Sequence, residues 1–455
     1  MEQKKNSIIG VTLSICLSLI ISIIVYSTNT KITFIFCLET FILLAFFSII
    51  AFCSKDRFNP FSFFLLSLFL GVLDIIFVVC DVRIVEYKYD IGIYEKSLGL
   101  IILWLLGFLI GYFIKISKKN KKSFKTLRVI DNYMKDANVN ILLLLGLLIQ
   151  IFIILIVCKT IIEVGGINAA INNFSVFRYN NQGYLATILP LIAIVTIAFW
   201  EKGNKKLAII SMVINFILTT LTGRRGIAIN TVIIPVLVFY NYRIGKITNK
   251  QIIALGVPIV IFILFLGSMR NQQVTLGKTN NNVLNVAASI TNTIQYGQNV
   301  PDLLYSMKIG KVDFQGEKYL LNGILGMIPR SIWNEKPESD HSLITSRLVY
   351  YEDITYGKPV GAFGFSYLCF GYIGVIFSGI ITGKVTSIIY NWIRKNKSAI
   401  TILIYSITIQ NFIAITNPEA QVKIITLMFV LIILGILSNL NQKKKSEGEY
   451  NWVLK

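Results

Sequence analysis

Twelve apolar windows dominate this 455-residue chain and decide what it can become. They lie at residues 7–27, 32–53, 61–80, 98–116, 141–158, 184–200, 207–221, 227–240, 252–269, 361–383, 399–416 and 422–440. A helix rises about 1.5 Å per residue, so about 20 apolar residues cross roughly 30 Å of hydrocarbon. The pair 207–221 and 227–240 is the shortest and falls below the usual spanning length. A soluble globule is excluded, because only 15% of the residues are charged where a soluble domain carries about 25%. The expected fold class is an all-α polytopic integral membrane protein with about 12 transmembrane helices.

The charge pattern orients it. The formal net charge is +21, and the basic residues are divided among short links between apolar windows. That distribution suits anionic lipid headgroups rather than nucleic acid, so no nucleic-acid partner is expected. With the N-terminus inside, the inner segments hold 26 Lys+Arg, including the run KISKKNKKSFKTLR at 115–128, and the outer segments hold 18. Nine of those 18 sit in one loop longer than the positive-inside rule covers. Both termini are therefore expected in the cytoplasm, and residues 270–360 form one large, partly helical extracytoplasmic loop. The organisation expected is spans one to nine in 1–269, this loop in 270–360, spans ten to twelve in 361–440, and a basic cytoplasmic tail in 441–455. Long loops in compact proteins are functional or disordered; Tyr, Trp, Phe, Ile and Leu recur throughout this one, so it is expected to fold.

Several chemistries drop out. The six cysteines show no C-x-x-C spacing, and a single histidine, His341, cannot make a multi-histidine metal site. No metal and no cofactor are expected. A phosphate-binding G-x-x-x-x-G-K-[ST] loop and a G-x-S-x-G elbow are both missing, which removes ATPases and ordinary serine hydrolases. There is no D-x-D of the kind that holds a metal for nucleotide-sugar transfer. Lys4 and Lys5 precede the first apolar window without a small-residue cleavage site, the pattern of an uncleaved signal anchor.

What remains is cationic and lies outside. In the turn TGRRG, residues 222–226, Arg224 and Arg225 are flanked by Gly223 and Gly226, so a phosphate can approach closely. A guanidinium fork suits an anionic diphosphate; the alternative is that both arginines snorkel to lipid headgroups. The stretch IPRSIWNEKPESDH, 328–341, supplies Arg330, Lys336, Glu335, Glu338, Asp340 and His341, with Pro329 and Pro337 fixing the backbone. Trp333 is an interfacial anchor or a platform for a sugar ring. Such a segment can hold an anion and move a proton, or be simply a solvated loop. Arg347 follows it, and Arg270 stands where span nine emerges, as part of an anion cradle or as a snorkelling helix end. Asp340 beside His341 can orient the imidazole and raise its basicity. Within the spans, Glu39 and Asp74 share the outer half of the bilayer with Asn230, Gln410 and Asn411. They line an outward cavity or pair structurally inside the bundle.

The run IPRSIWNEKP, preceded by TGRRG and followed by VGAFGFSYLCFGYIG at 360–374, resembles Wzy-type oligosaccharide repeat-unit polymerases, which make O-antigen, capsule and exopolysaccharide in bacteria. The resemblance covers roughly residues 215–380, and its more specific part is P-R-x-x-W-x-x-K-P. It implies a GT-C-like membrane glycosyltransferase of the bacterial cytoplasmic membrane that acts on the outer face without metal or nucleotide. An undecaprenyl-diphosphate-linked glycan is the donor. The non-reducing sugar of an incoming undecaprenyl-diphosphate-linked unit is the acceptor, and undecaprenyl diphosphate leaves. The resemblance further implies a chain-length regulator and a flippase as partners. Arg224, Arg225 and Arg330 are then expected on diphosphates, with Arg270, Lys336 and Arg347 as helpers and Trp333 on sugar. The proton acceptor is Asp340 or His341, with Glu335 and Glu338 also open. A lipid-linked oligosaccharide flippase and an O-antigen-ligase-like transferase are the rival readings. No internal repeat is visible to support a transporter.

Overall fold

The structure is a computed structural model. It describes residues 15–16, 18–23, 32–53, 56, 58–83, 85, 87–114, 139–163, 165–166, 189–221, 229–245, 247, 251, 295–319, 322–325, 328, 332–333, 335, 337–338, 340–350, 354, 357–395, 397 and 401–406. Among these the regular structure is helical throughout, as the apolar windows require. The chain forms two compact units. The first comprises Met1–Ile114, Ile253–Ile388 and Asn411–Val422; the second comprises Lys115–Ile252, Ile389–Gln410 and Lys423–Lys455.

The first unit begins with α1 (Phe34–Cys53), α2 (Pro60–Val79) and α3 (Ile91–Phe113), each packed on the other two. It continues with α8 (Tyr296–Lys308), α9 (Asn322–Leu325), α10 (His341–Val349) and most of α11 (Gly361–Lys395). The second unit holds α4 (Val139–Glu163), a 3-10 turn at Leu189–Leu191, α5 (Ala193–Glu201), α6 (Lys205–Leu221) and α7 (Ile234–Phe239). Two π-helical turns, Ile229–Ile233 and Tyr240–Ile244, flank α7.

Among the described residues, three helices are long and apolar enough to cross a membrane: α3, α4 and α11. Shorter apolar stretches lie at Phe34–Phe47, Leu68–Val79 and Thr231–Ile244. The expected windows at 252–269 and 422–440 lie outside the described residues. On α3, Leu106, Ile110 and Phe113 form an exposed apolar stripe, and on α4 Leu144, Leu148, Ile151 and Leu155 do the same. Side chains three and four apart share one helical face, so these stripes are surfaces suited to lipid.

In lipid there is no hydrophobic force between helices, and close approach through small residues takes over. The α3–α11 contact works this way. A Cβ on Gly107 or Gly111 would collide with the Ile376 or Ile380 carbonyl oxygen; one on Gly379 or Gly383 would collide with those of Trp104 and Phe108. Two small-xxx-small pairs therefore let the backbones touch, and Trp104 Nε1 donates to Ser378 Oγ across the seam at 3.3 Å. The second unit uses a polar knot instead. Asn215 accepts from Gln150 Nε2 at 2.9 Å and donates to the Ile192 carbonyl at 3.0 Å and to Thr196 Oγ1 at 3.2 Å, tying α4, α5 and α6.

α11 is broken. Phe370 and Gly371 leave helical geometry, with Gly371 at φ 62° and ψ −152°, a conformation open to glycine. The carbonyls of Leu368 and Cys369, which lose helical donors at the break, accept the backbone N–H groups of Gln315 (3.0 Å) and Gly316 (2.9 Å). Every residue from Val360 to Cys369 is buried, whereas Phe370, Ile373, Phe377 and Ile381 form an exposed stripe. The first part of the expected span 361–383 is thus enclosed by protein, and the lipid-suited surface starts at the break.

Candidate functional site

Among the described residues, Asp74 anchors α8. Asp74 is fully buried near the end of α2, where one guanidinium nitrogen of Arg83 faces both its oxygens. The Gly297 backbone N–H donates to Asp74 Oδ2 at 2.7 Å and seats the first turn of α8. A side chain at 297 would put its Cβ 2.7 Å from the Asp74 carbonyl oxygen, so only glycine allows the contact. Tyr296 beside it is buried, lying edge-on to Phe363 at 5.2 Å, and burial pushes its phenol up to about 12. Of the two readings of Asp74, the structure realises the internal pairing. Glu39 is half-buried, facing Gly99 of α3.

α10 is built by its cap. Asp340 Oδ1 accepts the backbone N–H of Ser342 at 2.8 Å and of Leu343 at 3.4 Å, filling two of the donors a helix start leaves open. Its oxygen also lies 3.9 Å from Nδ1 of His341. His341 is 9% exposed and stands edge-on to Phe365 at 5.8 Å. Arg347, at the other end of α10, faces Glu338 Oε2 at 3.8 Å and donates from Nε to the Ile354 carbonyl at 3.3 Å. Asn322 of α9 donates to the Glu338 carbonyl at 2.9 Å. Trp333 and its neighbour Ile332 are exposed. The structure therefore gathers Asp340, His341, Glu338 and Arg347 on and around α10. Arg224, Arg225, Arg270, Arg330 and Lys336 lie outside the described residues.

A second cluster escaped the sequence reading. Asp302, 2% exposed on α8, accepts the phenol of Tyr89 at 2.7 Å and also that of Tyr350. Burial, then the bond to the Asp302 carboxylate, holds the Tyr89 phenol well above the ordinary tyrosine range. The Tyr89 and Tyr305 rings also lie against each other, tilted by 34°, with centres 4.7 Å apart. These side chains border an open cleft of about 700 Å³, walled by Tyr87, Lys88, Asp90, Lys311 and Tyr350. α10 connects the two clusters: Asp340 caps its start and Tyr350 follows its end, about 14 Å away at 1.5 Å per residue.

A membrane protein, helical among the described residues, in which α8 and α10 fold onto the apolar helices is what the fold and these clusters define. Comparison with known proteins gives the family. The chain belongs to the family described as O-antigen polysaccharide polymerase Wzy, whose model matches residues 8–445. The match extends well beyond residues 215–380, where the resemblance was carried by motifs. Two curated relatives, each called O-antigen polymerase, from Salmonella typhimurium (strain LT2) and Salmonella typhi, are 25% identical over 229 residues. That alignment covers 49% of this chain and 52% of each relative, so the chain spans about half the length of the curated relatives it matches. No solved structure matches.

Proposed function

We propose that the protein polymerises undecaprenyl-diphosphate-linked oligosaccharide repeat units on the outer face of the bacterial cytoplasmic membrane. The observation that carries the reading is the family match over residues 8–445, and the name of the Salmonella relatives points the same way. In this reaction a hydroxyl of the acceptor's non-reducing sugar attacks the donor's anomeric carbon. The bond from that carbon to the diphosphate oxygen breaks, undecaprenyl diphosphate departs with the electron pair, and the hydroxyl proton passes to a protein base. Positive charge grows on the sugar ring and negative charge on the diphosphate. Fixed cations that meet the departing charge lower the barrier by roughly 3–4 kcal/mol per donor.

Arg224, Arg225 and Arg330 are assigned to diphosphate, with Arg270, Lys336 and Arg347 in supporting positions and Trp333 against sugar. Asp340 takes the proton, with His341 Nδ1 beside it at 3.9 Å. The partial exposure of Asp340 supports this choice over the more buried imidazole. A chain-length regulator and a flippase are the partner proteins such a cycle calls for.

Reconstitution with purified lipid-linked repeat units tests the reading. Ladders of increasing repeat number are the expected product. Translocation without ladders would instead make the protein a flippase, and transfer to a non-prenyl acceptor a ligase. Arg224→Ala and Arg330→Ala should each lose long-chain product while inserting normally; unaltered ladders in both would remove the arginine assignment.

A further inference from the structure

We propose that the cleft between the α2–α3 link, α8 and the end of α10 is a saccharide subsite, which holds uncharged sugar rings of the lipid-linked glycan away from its reacting end. The proposal rests on the polymerase reading for its substrate, but the cleft itself is argued from its walls. Tyr87 is 59% exposed and Tyr305 39% exposed. Aromatic faces left open beside polar groups match the chemistry of a pyranose, whose C–H face packs on a ring while its hydroxyls reach outward. The volume of about 700 Å³ falls within the roughly 300–1,000 Å³ of ordinary small-molecule sites.

The charges decide what kind of ligand fits. Two lysines and two aspartates line the cleft, so no net charge attracts an anion. Both lysines are already engaged: Lys88 Nζ lies 2.6 Å from Asp81 Oδ1, and Lys311 Nζ donates to the Val349 carbonyl at 2.7 Å. Asp302 accepts two phenols, which fixes Tyr89 and Tyr350 as rigid walls. Asp90 starts α3 without a side-chain capping bond, so its carboxylate can accept from sugar hydroxyls. A diphosphate would meet two carboxylates beside the two lysines, with no net positive charge to hold it. A neutral polyhydroxylated ring meets stacking faces and acceptors. The distance to Asp340, one length of α10, is bridged by a few sugar residues of one chain.

The test uses the full-length protein in lipid nanodiscs. The probe is the oligosaccharide released by mild acid from the host's lipid-linked repeat units, followed by saturation-transfer NMR and by titration. Binding is expected, with the dissociation constant rising roughly three- to tenfold in Tyr87→Ala and in Tyr305→Ala. Tyr305→Trp, which keeps an aromatic face, should retain binding and guards against loss of fold in the alanine variant. No binding to the unmodified protein, or equal binding by both alanine variants with unchanged melting, overturns the subsite. Ladder formation from intact lipid-linked units is measured separately. Ladders without a tyrosine effect remove the subsite and leave the polymerase standing; sugar binding without ladders removes the polymerase reading alone.

Discussion

Arg83 holds both carboxylate oxygens of Asp74 with a single guanidinium nitrogen, and the two residues are 6% and 0% exposed. The pair joins α2 to the link that follows it, and through Gly297 it also joins α2 to α8. Removing one partner leaves the other charge buried, at a cost of about 3–5 kcal/mol. Arg83→Ala should therefore lower the melting temperature and membrane yield sharply. The double variant Arg83→Met/Asp74→Leu should recover much of the loss, because it strands no charge. Equal loss in single and double variants would mean that packing matters and the ion pair does not.

The glycine seam between α3 and α11 makes a contrasting forecast. Gly111→Ala places a methyl group on the Ile380 carbonyl and should cost about 1–3 kcal/mol through overpacking, read as earlier thermal aggregation in detergent. Gly92→Ala on the same helix meets only the Glu95 carboxylate, at 4.0 Å, and should be neutral. Matching behaviour of the two would place the helices farther apart than described.

Asp340 is both cap and proposed base, and two substitutions separate these roles. Asn caps a helix about as well as Asp, while Ala forfeits about 1 kcal/mol. Asp340→Asn should melt like the parent protein yet polymerise about 10²–10⁴ times more slowly, the usual contribution of a positioned base. If Asp340→Asn forms ladders at the parental rate, the proton goes elsewhere.

Tyr89 predicts an alkaline sensitivity. Its phenol, buried and bonded to Asp302, stays protonated well above the ordinary tyrosine range, whereas the unfolded chain ionises near pH 10, the usual value of about 10 for tyrosine. Stability falls with pH wherever the native state binds more protons than the unfolded one. The contribution is complete below about pH 10 and declines above it. A melting series across roughly pH 8 to 11 should show a steeper alkaline decline for the parent protein than for Tyr89→Phe. Parallel curves would assign the sensitivity to other groups.

Helices were legible where an apolar window is long enough to carry one. The window 141–158 appears as α4, Val139–Glu163, and 207–221 as α6, Lys205–Leu221. Helical structure in the described part of 270–360 was also readable from its scattered aromatic and branched residues, now part of α8 and α10. The start of α3 was not. The window opens at 98, but the helix begins at Ile91, because Tyr94, Glu95 and Lys96 lower the hydropathy of a turn that packs inside the protein. Asp302 was equally hidden: its phenol partners lie 213 and 48 residues away, and no local spacing encodes such a meeting. Asp340 was singled out for chemistry, while its capping bonds depend on a helix start that charge content alone does not reveal.

The grip of Gln315 and Gly316 on the broken end of α11 is made entirely by main-chain atoms. Gln315 can therefore be replaced without releasing the clasp, whereas Gly316 and Gly371, at φ 55° and 62°, hold a backbone conformation that favours glycine. Sequence change at this joint is thus channelled to Gln315, while a glycine on each bank keeps the geometry of the clasp.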